Sequence, residues 1–456
     1  MQEELQFELS KEFLERFTEA IEAQDSEFIR NSLENAQPAD ITILLHNFSS
    51  EESKYVLDQL ETELAAEIVI DLDEDVREKF LRKFTSSEIA TFVNSLDSDD
   101  AVDLLSELPV KEREEVLAEV DSEEKEAHIL DLLRYDEDTA GGLMAKELIK
   151  INVNWNVVQC IEEIRRQAEN VDKIHSVYVV DDHDKLLGRV SLKRLILSDD
   201  KVKIADIYED NVISVETFID EEEVADIMQK YDLETVPVVN VQGKLLGRIT
   251  IDDVVDVITE TAEEERQLMT GISADVEEKD SVWMLSKARL PWLVIGIFGG
   301  LVSAEFIKFF EDDLAKVVAI AFFIPLIQAT GGNVGIQSSS IVVQSLASRS
   351  VFEQKMTQRL FKVLVVALLN GFVLAGLVFC ANLIFGGTTG ESLNLSLVVS
   401  IALFSVVVVA SLVGTVTPLI LDRLEINPAI ASGPFITTTN DIVGLAIYFF
   451  VIHILL

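Results

Sequence analysis

FITTTNDIVGLAIYFF, residues 435–450, sets one carboxylate, Asp441, inside a run that is otherwise apolar and long enough to cross a membrane. A charged side chain at bilayer depth costs roughly 2.5 to 3.5 kcal/mol on insertion scales, so an acid there faces a cavity or a partner instead of lipid. Asp441 is therefore the first candidate for function. About 20 apolar residues cross roughly 30 Å of hydrocarbon. Five runs meet that length: Leu290 to Phe310, Val317 to Leu346, Leu360 to Phe385, Leu395 to Leu421 and Pro434 to Leu456.

An odd number of spans puts the two ends of the chain on opposite sides. The loop ASRSVFEQKMTQRLFK after the second span carries Arg349, Lys355, Arg359 and Lys362, whereas GGTTGESLN after the third carries no basic residue. Positive-inside loops then place residues before the first span in the cytoplasm and Leu456 outside. The opening MQEELQFELSKEF has neither the basic nor the apolar region of a signal peptide, which agrees with that placement.

Charge divides the chain at the same point. Of 37 Lys and Arg and 81 Asp and Glu, nine of each sign lie from Trp283 onward, so the whole net charge of −44 belongs to the residues before it. A polyanion of that size repels nucleic-acid phosphates and attracts cations. The two cysteines, Cys160 and Cys380, have no metal-type spacing, and the five histidines form no cluster.

Inside the second run, IPLIQATGGNVGIQSSS (324–340) holds Pro325, Gly331, Gly332 and Gly335, which predict a weakened or interrupted helix. Backbone groups freed at that depth must line a cavity. Close helix packing by small residues is the alternative. Asn333 and Gln337 are four apart, as are Thr437 and Asp441, so each pair shares a helical face. Hydroxyls, amides and one acid are hard oxygen donors that suit hydrated Mg²⁺, which keeps several waters and is held through one or two carboxylates. A homodimer around a shared pore would bring two copies of Asp441 to one ion.

In the acidic part, IHSVYVVDDHDKLLGRVS (174–191) and LETVPVVNVQGKLLGRIT (233–250) repeat at an offset of 59. Each copy reads as strand, turn, strand and helix, a duplicated α/β module. The repeat resembles the tandem cystathionine-β-synthase (CBS) pair, a regulatory module that binds adenine nucleotides or ions. The resemblance implies a ribose-binding position at Gly247, Thr250 and Asp253, with Arg194 standing where the first copy would carry the acid, and it leaves ATP open as a regulator. Residues 1–135 read as short amphipathic helices broken near Pro38, Thr62, Ser86 and Pro109, a superhelical array.

The acidic array, the CBS pair, an acidic linker and five spans, with YDEDTAGGLM (135–144) and GGNVGIQS (331–338), together resemble the MgtE family of magnesium channels over the whole chain. That implies a multidomain protein: an all-α superhelical N domain (1–135), an α/β CBS pair (136–258), a connecting plug helix (259–289) and a five-helix transmembrane pore domain (290–456). It implies no enzyme but a homodimeric, multi-pass membrane channel that imports Mg²⁺ and closes when cytoplasmic Mg²⁺ binds the acidic domains. Asp441 would be the pore carboxylate, with Asn333 and Thr437 nearby. Asp99, Asp103, Asp220, Glu222, Asp232, Asp253, Asp256, Glu264 and Glu265 match cytoplasmic metal positions. Where the family commonly carries an acid before the proline that opens the fifth span, this chain has Asn427. A CBS-regulated transporter of Co²⁺ or Mn²⁺, or a non-conducting sensor of ions or nucleotides, is the alternative.

Overall fold

A computed structural model of the chain describes residues 9–72, 74–168, 171, 173–273, 276, 281–347, 356–386, 390–424, 426–431 and 433–455. Arg349 and Lys355 of the basic loop, part of the acidic linker and the tip of GGTTGESLN lie outside the described residues. The chain divides into two compact units, residues 1–258 and 259–456.

The first unit begins with a run of short helices, from α1 (Lys11–Ala23) through α2 (Ser26–Leu33), α3 (Pro38–Leu45), α4 (Ser50–Leu57), α5 (Thr62–Ile70), α6 (Glu74–Leu81), α7 (Ser86–Ser95), α8 (Ser98–Ser106) and α9 (Val110–Leu117) to α10 (Glu123–Leu132). Local signals place the starts. Pro38 opens α3, where its missing N–H costs nothing. Ser49 with Glu52 and Thr85 with Glu88 form reciprocal capping boxes at α4 and α7. Helices of eight residues are marginal alone, so packing must hold them. Phe17, Ile29, Leu44, Ile68, Val93 and Leu104 are buried in one continuous core.

That core continues into the second half of the repeat through Val236, Val238, Ile249 and Val254. The first copy forms a sheet of β1 (Ile149–Asn152), β2 (Val177–Val180) and β3 (Leu186–Val190), and the second a sheet of β4 (Val215–Glu216), β5 (Thr235–Val239) and β6 (Leu245–Thr250). In each, the first pair of strands is parallel and the second antiparallel. The first copy keeps its own small core around Val157, Cys160, Val177 and Ile204, over α11 (Val157–Gln167) and α12 (Leu192–Leu197). The second is built into the helical array: Ala145 pairs across to Arg248, and a Cβ on Gly247 would lie 2.6 Å from the Ala145 carbonyl. Only glycine admits a backbone so close. After α13 (Glu221–Tyr231) and β6, helix α14 (Ile251–Thr270) leaves the sheet.

In the second unit α14 stops at Gly271, whose φ of +85° an L side chain rarely adopts. The linker over 259–289, read as one or two helices, carries parts of two. α14 starts earlier, at Ile251, and α15 (Val282–Lys308) starts at Val282 and continues through Pro291 into the first span. Then follow α16 (Glu311–Lys316), a 3-10 turn Val318–Phe323, α17 (Ile324–Ala347), α18 (Met356–Gly386), α19 (Gly390–Arg423) and, after a turn at Pro428–Ala431, α20 (Gly433–Leu455). Among the described residues, five helical segments are long and apolar enough to cross a membrane, as predicted.

α17 corrects an expectation. It runs unbroken through Gly331, Gly332 and Gly335, and the irregular stretch lies before it, with Pro325 in the first turn where proline is tolerated. The glycines serve contact instead. A Cβ on Gly331 would sit 3.2 Å from Val406 Cγ1, and one on Gly414 of α19 would collide with the Gly335 carbonyl. α19 packs against α17, α18 and α20, its buried Val399, Leu403, Val406 and Val407 forming the core with Leu445, Tyr448 and Phe449 of α20. At the far end Phe310 stacks on Phe449 at 4.6 Å, the Tyr448 hydroxyl donates to the Ile320 carbonyl at 2.8 Å, and His453 meets Asp313 at 3.0 Å.

Candidate cation sites

Within the helical bundle, α20 carries Thr437 and Asp441 on one face and turns both toward α17. A Cβ on Gly332 would lie 3.2 Å from Thr437 Cγ2 and 3.6 Å from Asp441 Oδ1, so the half-buried carboxylate stands beside bare backbone. The Thr437 hydroxyl donates to the Gly433 carbonyl at 2.9 Å, which leaves its oxygen free to accept or ligate. Asn333 follows Gly332 directly, and with Gln337 it lies exposed on α17. Carboxylate and hydroxyl oxygens thus lie against α17, which also carries the exposed Asn333 and Gln337 amides, the donor type that suits a hard, partly hydrated cation.

In the other unit, carboxylates gather where the helical array meets the second repeat. Asp97 precedes α8, Asp99 and Asp100 sit in its first turn, and Asp103 lies a turn further on; the positive end of the helix favours anions there. Glu147 comes from the segment before β1, and its Oε2 accepts from the Ser98 amide at 3.1 Å and hydroxyl at 2.7 Å. One ligand oxygen from each of Asp97, Asp99 and Glu147 lies within 4.8 Å of the other two. Asp253, in the first turn of α14, accepts from the Thr250 amide at 3.1 Å and hydroxyl at 2.7 Å.

Positive charge there is scarce. Arg248 lies 3.4 Å from Asp97, but its Nε donates to the Glu147 carbonyl; Lys125 spends its ammonium on the Asn94 and Leu96 carbonyls. Burial, then the neighbouring Asp100, Asp253, Asp97 and Glu147, push the Asp99 carboxyl well above the ordinary range. Burial, then Asp253, Asp103 and Asp97, push Asp100 up to about 7. Asp253 is raised by burial against the opposing pull of its Thr250 bonds. Acids held this way lower their energy by taking up protons or a cation.

Of the sequence-predicted cytoplasmic residues, Asp99, Asp103 and Asp253 come together. Asp256 is exposed on α14 beyond them, and Glu264 and Glu265 lie two and more turns further along the same helix. Asp220, whose side chain accepts from the Glu222 amide, caps the start of α13, while Asp232 ends it. An eleven-residue helix separates these ends by roughly 16 Å, so Asp220 and Asp232 do not share one ion within a chain. Sequence reasoning missed Asp97, Asp100 and Glu147. The first two stand in the acidic run DSDD (97–100), where three of four residues are acids, but nothing local marks Glu147, which only the tertiary fold delivers.

Comparison with known proteins places the chain among cation transporters. A family model described as MgtE, divalent cation transporter, matches residues 324–451; the MgtE intracellular N domain matches 36–138, and CBS domains match 140–199 and 204–260. The magnesium transporter MgtE of Bacillus subtilis (strain 168) is 31% identical over 420 residues, covering 92% of each chain. That of Thermus thermophilus is 32% identical over 446 residues, covering 96% of this chain and 97% of the relative. That of Enterococcus faecalis is 35% identical over 72% of this chain and 71% of its own. Among solved structures, the cytosolic domain of the Mg²⁺ channel MgtE in complex with ATP aligns with a TM-score of 0.51 at 31% identity, over 54% of this chain and 99% of that one.

Proposed function

This chain belongs to the MgtE family of magnesium transporters, and on that premise we propose that it is a channel for Mg²⁺ uptake whose own cytoplasmic acids close it when internal Mg²⁺ is high. It is a multi-pass membrane protein, and its family consists of transporters, not enzymes. The observation that carries the reading is Asp441, with Thr437, against the bare backbone of Gly332 and next to the exposed Asn333.

One carboxylate holds a divalent ion weakly. A second copy of the chain, related by a two-fold axis along the exposed Asn333 and Gln337 face, doubles the charge and leaves room for retained waters. All the donors are oxygen, which favours Mg²⁺ over Co²⁺, a metal that imidazole and softer ligands hold better. With the acidic domains inside, the C-terminus lies outside.

The closing step follows from the carboxylate cluster. Without a cation, Asp97, Asp99, Asp100, Glu147 and Asp253 oppose the packing of α8 against the second repeat; an ion shared among them removes that repulsion. A ligand shifts a conformational equilibrium only through its differential affinity for the two states, and carboxylates from separate segments provide it. α14 carries Asp253 in its first turn and stops at Gly271, where a Cβ would lie 2.5 Å from Pro434 Cγ, and Gly433 (φ +53°) abuts the Met269 carbonyl. The end of the regulatory helix therefore bears on the inner end of α20. Asp253 also faces Asp99 and Asp100, so we assign it to the shared cation, with ATP, present in the relative's complex, as a second regulatory ligand of the same repeat.

The test is Mg²⁺ uptake into vesicles at low and at millimolar Mg²⁺ on the cytoplasmic face, with limited proteolysis of the acidic domains in parallel. Uptake should fall and protease protection rise together. Uptake and protection that both ignore cytoplasmic Mg²⁺ would exclude the mechanism.

A further inference from the structure

Asn440, one residue before Asp441, is 1% exposed, and both its Oδ1 and its Nδ2 lack a hydrogen-bond partner among the described residues. Unpaired buried amide groups are costly anywhere, and more so where lipid offers no substitute. The amide occupies a notch in α17: a Cβ on Gly335 would collide with Asn440 Nδ2 and lie 2.8 Å from Ile436 Cγ2. On the far side Gly414 of α19 closes on the Gly335 backbone, so the notch has a fixed floor. An apolar residue would fill the same space without stranding two polar atoms, so bundle stability does not account for asparagine here.

Geometry ties this notch to Asp441. Gly332 and Gly335 are three apart on α17, one turn of the same face. The first receives Thr437 and Asp441, the second receives Asn440. Successive residues on a helix are about 100° apart, so seating Asn440 in one notch sets the angle at which Asp441 stands over the other. We propose that Asn440 is a positioning residue for the cation path, its amide keyed into Gly335 to fix the rotation and height of α20 and so the setting of the Asp441 carboxylate. The proposal rests on Asp441 lying on that path.

The experiment measures Mg²⁺ and Co²⁺ influx, each alone, into proteoliposomes containing wild type, Gly335→Ala, Asn440→Ala, the double variant and Asp441→Ala, at matched amounts of folded protein. Gly335→Ala, which pushes Asn440 out of its notch, is expected to lower the Mg²⁺ to Co²⁺ influx ratio about threefold or more, and Asn440→Ala to shift it as well. The double variant should regain much of the wild-type ratio, because contacting residues are coupled. A residue with only a packing role would change the amount of folded protein and leave the ratio unmoved in every variant. That outcome, with Asp441→Ala inactive, overturns the positioning role alone. Full influx through Asp441→Ala overturns the pore reading instead. If Gly335→Ala does not fold, Asn440→Ala carries the test by the same ratio.

Discussion

Asp100 holds a proton far more tightly than an ordinary carboxyl, at about 7 against 3.8, because it is partly buried beside Asp253, Asp103 and Asp97. The sign of the consequence is set by linkage. Between pH 4 and 7 the folded chain keeps a proton that the unfolded chain has released, so this group stabilises the fold fully below the lower value and that stability is lost as pH rises to the upper one. The slope for one group is at most about 1.4 kcal/mol per pH unit. In chelator, the melting temperature of the cytoplasmic part should therefore fall as pH rises through this window, and millimolar Mg²⁺ should flatten the fall. Asp100→Asn should reduce the slope in chelator and weaken the effect of Mg²⁺. A melting temperature that does not respond to either would remove the cluster from the closing mechanism.

α17 shows which parts of the molecule its sequence revealed and which it concealed. Length and hydropathy disclose the spans, since a membrane demands both, and the 59-residue repeat discloses the paired sheets because strand, turn and strand recur in register. Glycine is ambiguous at this level: the same residue weakens an isolated helix and permits two helices to touch. In α17 contact prevails, as α19 and α20 supply the packing that propensity lacks. Thr437 and Asp441 were legible as a pair from their spacing, and Asn333 joined them only through the family resemblance, whereas the seating of Asn440 was not legible, for an asparagine in a span carries no mark of the notch that receives it. The small-residue seam gives an element-scale test. Gly414→Val forces the α19 side chain onto the Gly335 backbone, and overpacking of this kind costs about 1 to 3 kcal/mol. The bundle should melt earlier in detergent, while melting of the acidic domains stays as in wild type. An unchanged bundle would mean that α17 and α19 do not rely on this contact.

Across the whole molecule, charge and hydropathy are separated along the chain: the acids proposed to sense a cation precede residue 283, and the helices proposed to carry it follow. α14 carries Asp253 of the carboxylate cluster in its first turn and ends against Gly433 and Pro434 at the start of α20. On the proposed reading, a sensor upstream of the pore helix transmits a change of packing along α14 without any contact between ions bound at the two places. Everything in this scheme depends on the cation passing Asp441. The most direct measurement is Mg²⁺ influx into proteoliposomes at low internal Mg²⁺, with wild type and Asp441→Ala reconstituted side by side in equal amounts. Asp441→Ala should lower influx by an order of magnitude or more, as loss of about 1.4 kcal/mol or more from ion binding in the path implies. Equal Mg²⁺ influx through both proteins would contradict it.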